Sequence, residues 1–187
     1  MKSILIAGVP RSGKTTLSML LANELKNYHI ISLDCIRNAL DDTFPQLEIN
    51  PRGGKNNFTE LPKFVSRILY YNKRDLRNKI NYIIEGTQIL PDTAKELFND
   101  CIVIFLGHGN MKPEQILDNI RKYDTPEEYS YSRDDETMMK SIIKHIKIDH
   151  EIEQKCKLYG FNYIDTSSNR AEKLNKLVEE VKRDIYY

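Results

Sequence analysis

The stretch Gly8-Val9-Pro10-Arg11-Ser12-Gly13-Lys14-Thr15 decides how this chain is read. Two glycines five apart, followed at once by Lys-Thr, put a tight turn directly before an ammonium and a hydroxyl. Glycine lets the backbone bend so that successive N–H groups point inward, and such a run of amides makes a nest for an anion. Just upstream, Ser3 to Val9 is a β-rich apolar run; just downstream, Thr16-Leu17-Ser18-Met19-Leu20-Leu21-Ala22 has a helical composition. The turn therefore lies between a strand and the positive end of a helix, where this pattern has a mechanism for holding phosphates. Gly8, Pro10, Arg11, Ser12, Gly13, Lys14, Thr15 and Thr16 are then the candidates for gripping a nucleoside triphosphate. Lys14 is placed to reach the β and γ phosphates, and the Thr15 hydroxyl to ligate Mg²⁺ between them.

Outward from this stretch, short β-rich runs alternate with longer runs of helical period, which predicts a parallel sheet with helices on both faces. Strands are expected near Ser3 to Val9, His29 to Asp34, Asn81 to Glu85, Cys101 to Gly107 and Phe161 to Asp165, each read as buried on both faces. Helices are expected over Gly13 to Lys26, Asp92 to Asn99, Pro113 to Lys122, Asp135 to Tyr159 and Arg170 to Tyr186, with Pro113 suited to a first helical turn. Between the second and third strands lies a long insert, about 35–80, helical at both ends around Asn50-Pro51-Arg52-Gly53-Gly54. Tyr123 to Arg133 is a second polar loop.

The 187 residues fit one domain with a sizeable core, 40% of them hydrophobic and 29% charged, as in a soluble globular chain. A formal charge of +1 argues against generalised nucleic-acid binding. Apolar runs such as Ile102 to Leu106 are too short to span a bilayer, and the amino terminus has no signal-peptide profile, so a cytoplasmic protein is expected. Cys35, Cys101 and Cys156 are widely spaced and form no CxxC pair, which indicates neither a disulfide framework nor a zinc site. His145 and His150, five apart, do not share a helix face as metal-binding pairs do.

With these features in hand, the chain resembles the P-loop kinases of small molecules, the group of adenylate, shikimate and gluconate kinases, with zeta-toxin-like kinases as further relatives. The phosphate loop is the specific part of the likeness. The order of strands, the acid after the second strand, the polar loop and the last strand extend it over most of the chain. It implies a three-layer α/β/α P-loop NTPase fold with a five-stranded parallel sheet in the order 2-3-1-4-5. It also implies a single kinase-like domain over 1–187, an acceptor-binding insert at about 35–80 and a lid-like segment at about 121–135. The activity implied is ATP- and Mg²⁺-dependent phosphoryl transfer to a small acceptor, a nucleotide or a hydroxylated metabolite.

Kinases of this type often place a base or acceptor-binding carboxylate where Asp34 ends the second strand, and a carboxylate there can accept the proton of an attacking hydroxyl. A helix cap explains the same residue. Arg37, three residues on, suits an anionic group of the acceptor, or is a solvated helix arginine. Glu85 closes the third strand before Gly86, which permits close approach, so the pair are candidates for the acceptor and Glu85 for Mg²⁺; a structural ion pair is the other reading. Arg121 and Arg133 flank the lid-like loop, and Arg133 is the candidate for charge on the transferring phosphoryl group, or for a surface pair with Asp134 or Asp135. Asp165-Thr166-Ser167-Ser168-Asn169-Arg170 resembles the adenine-contacting loop of the family, and is also explained as a turn and cap.

Charge divides unevenly. Residues 113–136 carry eight acids (114, 118, 124, 127, 128, 134, 135, 136) against three basic residues, an unexpected balance for a phosphate-gripping lid. Residues 36–80 carry nine basic residues (37, 52, 55, 63, 67, 73, 74, 77, 79) against five acids, which mildly favours an anionic acceptor. The alternative to a kinase is a regulatory nucleotide-binding switch or an interaction module. Asn72-Lys73-Arg74-Asp75 matches the guanine-specificity pattern NKxD, but it falls inside a helical stretch with no DxxG between it and the phosphate loop.

Overall fold

Ile4, Leu5, Ile6 and Ala7 are all fully buried, and the period-two alternation of a strand sends them to opposite sides of one sheet. Leu5 and Ala7 join a core with Leu33, Val65, Ile84, Phe98, Phe105 and Cys156. Ile4 and Ile6 join a second core with Leu17, Leu21, Ile83, Ile104, Leu174 and Val178. Truncating either set would cost about 2–5 kcal/mol per large side chain, since both sides of this strand are packed.

The structure, a computed structural model, describes residues 2–75, 80–126, 128 and 130–186. Arg77, Lys79 and Glu127 of the charge runs noted above lie outside them. In chain order the elements are β1 (Ile4–Gly8), α1 (Lys14–Glu24), β2 (Tyr28–Ser32), α2 (Leu33–Thr43), a 3₁₀ turn (Pro45–Leu47), α3 (Glu60–Arg74), β3 (Asn81–Glu85), α4 (Pro91–Leu97), β4 (Ile102–Gly107), α5 (Pro113–Tyr123), α6 (Asp135–Tyr159), β5 (Asn162–Asp165) and α7 (Arg170–Tyr186).

The five strands run parallel in the order β2-β3-β1-β4-β5, which makes a three-layer P-loop NTPase α/β fold. Helices α1 and α7 cover one face; α3, α4 and α6 cover the other. Reversal of chain order on either side of β1 brings the ends of β1, β3 and β4 to one edge, where ligands of such sheets bind. A smaller cluster of Ile116, Ile120, Met138 and Ile142 joins α5 to α6 and anchors both ends of the polar segment between them.

Two expectations are corrected. The strand near His29 to Asp34 ends at Ser32, and Asp34 lies in the first turn of α2, because the chain turns helical as soon as Leu33 has entered the core. β2 and β5 are not buried on both faces: His29, Ile30 and Asn162 are exposed, as the margins of an open sheet lack a neighbour on one side. Cys156 is buried, Cys101 half-buried and Cys35 exposed. Among the described residues no helix is long and apolar enough to cross a membrane.

Candidate active site

Gly8 leaves β1 at φ 126°, and a Cβ there would stand 2.0 Å from the Leu106 carbonyl oxygen, so only glycine fits. The chain then winds through Pro10 and Arg11, the latter left-handed at φ 64°, to Gly13, the left-handed cap of α1. Loop carbonyls are held from behind. The Val9 carbonyl accepts from Ser12 Oγ (2.8 Å) and Lys14 Nζ (2.6 Å), that of Pro10 from His108 Nε2 (2.9 Å), and that of Ser12 from Thr166 Oγ1 (2.9 Å). With those carbonyls occupied, the loop keeps a shape in which its amides can converge on an anion.

Lys14 is 6% exposed, and burial brings its ammonium down to about 8, opposed by the nearby carboxylates of Glu85 and Asp34. The Thr15 hydroxyl donates to Glu85 Oε2 at 3.3 Å, so the end of β3 and the start of α1 present a hydroxyl and a buried carboxylate side by side. Two hard oxygen donors suit Mg²⁺, which draws its remaining ligands from phosphates and water.

Asp34 faces the same edge from α2. Its Oδ1 accepts from Gln88 Nε2 (2.7 Å) and pairs with Arg37 Nη1 (2.7 Å) one helical turn on. Gly86 makes this reach possible: a Cβ there would come within 2.6 Å of Gln88 Oε1 and 2.7 Å of Leu33 Cβ. Asp34, Arg37, Glu85 and Gly86 are thus gathered beside Lys14 and Thr15 from three separate elements.

The polar segment after α5 is tied to the phosphate loop. Arg11 pairs with Asp124 Oδ1 at 2.8 Å and with Glu128, and donates to Ser130 Oγ, which itself donates to Asp124. Arg121 secures the base of the segment through Asp135 Oδ1 (2.8 Å) and the carbonyls of Ser130 (2.8 Å) and Arg133 (2.5 Å). Asp135 is therefore the partner of Arg121, and the exposed Arg133 contributes its carbonyl to that brace. Asn72 and Lys73 of the NKxD match are engaged with the Ile80 carbonyl (2.8 Å) and Asp100 (2.8 Å), within a helix.

A cavity of about 480 Å³ opens between Arg11, Thr16, His108, Asn119, Tyr123 and Arg170. Thr166 and Ser167, from the loop after β5, also line it, while Ser167 N donates to Asp165 Oδ1 (2.8 Å) to form the expected turn. His108 is neutral, its pKa lowered to about 4 by burial, and a carbonyl partner assigns the proton to Nε2.

Gln88 and His108 were not singled out by sequence reasoning, since no motif marks a side chain that acts by bracing another, and Thr166 was named only as part of the loop after β5, not as the brace of the Ser12 carbonyl. Asp124 and Glu128 did leave a signal in the acid excess of residues 113–136, whose counterpart proves to be Arg11.

In fold the chain is similar to a shikimate kinase of Bacteroides thetaiotaomicron, with a TM-score of 0.57 and 17% identity over 100% of this chain and 99% of that one. A shikimate kinase of Acinetobacter baumannii in complex with shikimate gives 0.57 and 17%, over 100% and 96% of the two chains. A gluconokinase of Sinorhizobium meliloti 1021 gives 0.56 and 12%, over 98% and 97%. No protein-family model matches the chain, and no curated protein matches it in sequence.

Proposed function

We propose that this chain is a phosphotransferase that moves the γ-phosphoryl group of ATP, with Mg²⁺, to a hydroxyl of a small acceptor, a nucleotide or a hydroxylated metabolite. The observation that carries this reading is the meeting of Lys14, the Thr15–Glu85 pair and the braced Asp34 at one sheet edge. A phosphate nest alone would serve a switch; a nest with an oriented carboxylate beside it serves transfer.

In this reading Lys14 exchanges the Val9 carbonyl for phosphate oxygens. The acceptor oxygen forms a bond to the γ phosphorus as the bond to the bridging β–γ oxygen breaks, ADP leaves, and the hydroxyl proton passes to Asp34. Gln88 and Arg37 hold that carboxylate in place, so the proton is taken without a search for geometry. Mg²⁺, held by Thr15 and Glu85, would neutralise charge gathering on the phosphates. Arg133, on the segment that Arg11 ties down, is the proposed lid arginine, and the cavity between Thr16, Tyr123 and Arg170 the proposed seat of the base. Residues 35–80 serve as the acceptor-binding insert and 121–135 as the lid of a single cytoplasmic domain.

Turnover of ATP against panels of nucleotides, sugars and hydroxy acids, with the phosphorylated product detected directly, tests this. Acceptor-dependent product is expected. ATP binding without acceptor-dependent turnover in any panel would replace the reading with a nucleotide-controlled switch.

A further inference from the structure

We propose that Arg11 is a positioning residue that couples nucleotide to the segment after α5: its guanidinium holds Asp124 in the nucleotide-free protein, arriving phosphates compete for it, and the segment is released. This rests on the phosphotransferase reading for its ligand and adds a control of the same site. Arg11 lines the cavity of about 480 Å³ together with Thr16, in the first turn of α1, and Asp124, where α5 ends. One side chain thus stands between the phosphate nest and a carboxylate more than a hundred residues away in the chain.

The backbone marks this residue out. Arg11 stands at φ 64° between Pro10 and Ser12, a left-handed turn that glycine adopts freely and a residue with a Cβ adopts at a cost. Strain of this kind persists where surrounding contacts impose it. Here the side chain supplies them: Nη2 pairs with Asp124 Oδ1 at 2.8 Å and donates to Ser130 Oγ, while Nη1 pairs with Glu128. A glycine would shape the nest at lower cost, but it could not reach Asp124.

Charge turns the contact into a competition. The Asp124 side chain is 3% exposed; it takes its ion pair from Arg11 and a hydrogen bond from Ser130 Oγ. A polyphosphate in the nest attracts the guanidinium and repels the carboxylates of Asp124 and Glu128. Once Arg11 turns to the phosphates, Asp124 is a buried anion without its cation, a costly state that ends when the carboxylate reaches water. The segment must therefore move for the phosphates to gain the arginine.

Both ends of the segment stay anchored. Ile116, Ile120, Met138 and Ile142 hold α5 against α6, and Arg121 pairs with Asp135 at the start of α6 (2.8 Å). What the movement gives up is the pair of hydrogen bonds from Arg121 to the carbonyls of Ser130 (2.8 Å) and Arg133 (2.5 Å), and their loss sets the cost that nucleotide binding must meet. Arg133, the proposed lid arginine, travels with the released stretch.

Hydrogen–deuterium exchange on the full chain, with and without Mg²⁺ and β,γ-imido-ATP, tests this, alongside calorimetry for affinity. Exchange over residues 124–134 should rise about fivefold on binding. Asp124→Asn removes the rival charge, so the analogue should bind about three- to tenfold tighter and the rise in exchange should disappear. Arg11→Gly relieves the left-handed turn and keeps the fold; exchange over 124–134 should be fast from the start and indifferent to the analogue. Exchange that slows on binding in the wild type, or an Asp124→Asn affinity no higher than the wild type's, overturns the proposal. The two readings fail separately: analogue bound with exchange unchanged sinks the coupling alone, whereas coupling without acceptor-dependent turnover sinks the transfer alone. A wild type that binds no analogue sinks both.

Discussion

The proposed phosphate loop and the proposed acceptor side of the site lie against each other but are built from different material. Eight consecutive residues make the loop, and its shape comes from backbone: left-handed turns at Arg11 and Gly13, a Gly8 that admits no side chain, and carbonyls held from behind by His108 and Thr166. The proposed acceptor side is made from side chains that arrive separately, Asp34 and Arg37 from α2 and Gln88 from the loop after β3. A backbone-built site tolerates little change and is shared by many chemistries; a side-chain-built site changes one residue at a time and defines the substrate. Arg11 ties the loop to a third region, since it sits in the loop and pairs with Asp124 and Glu128 of the segment after α5.

That contrast can be broken by experiment. Lys14→Ala should have the largest effect, a fall in turnover of about 10³-fold together with loss of ATP affinity, measured by steady-state kinetics and calorimetry. Asp34→Asn should lower transfer by about 10²-fold and spare nucleotide binding. If instead it weakened ATP and left transfer intact, the two sides would not be separable and Asp34 would not be the base.

A pH series sharpens the difference further. With Lys14 held down at about 8 in the free protein, the cation that phosphate requires is present below that pH and lost above it. The dissociation constant for ATP should then rise about tenfold per pH unit above about 8, with uptake of one proton on binding. Lys14→Arg should remove the break. Arg11→Gln is expected to act least, costing about 1–2 kcal/mol in urea unfolding because the buried Asp124 keeps Ser130 but loses its cation. Its sharper readout is faster proteolysis at residues 124–134.

Legibility followed the same division. Asn81–Glu85, Asp135–Tyr159 and Arg170–Tyr186 stand where the hydrophobic period and the end signals put them. The boundary at Asp34 did not, because whether a chain ends as strand or starts as helix there depends on how deeply Leu33 is packed, which is a tertiary matter. The acidity of residues 113–136 was visible, but its target was not, because Arg11 lies more than a hundred residues away in the chain.

Local chemistry was the sequence's own contribution: glycine spacing, an adjacent lysine and threonine, and alternating apolar runs act over a few residues, so they read directly as a phosphate loop in a parallel α/β sheet. Tertiary structure alone decided that Gln88 braces Asp34 and that Arg11 clasps Asp124. Those contacts join residues tens of positions apart, and their geometry exists only once the two cores have packed.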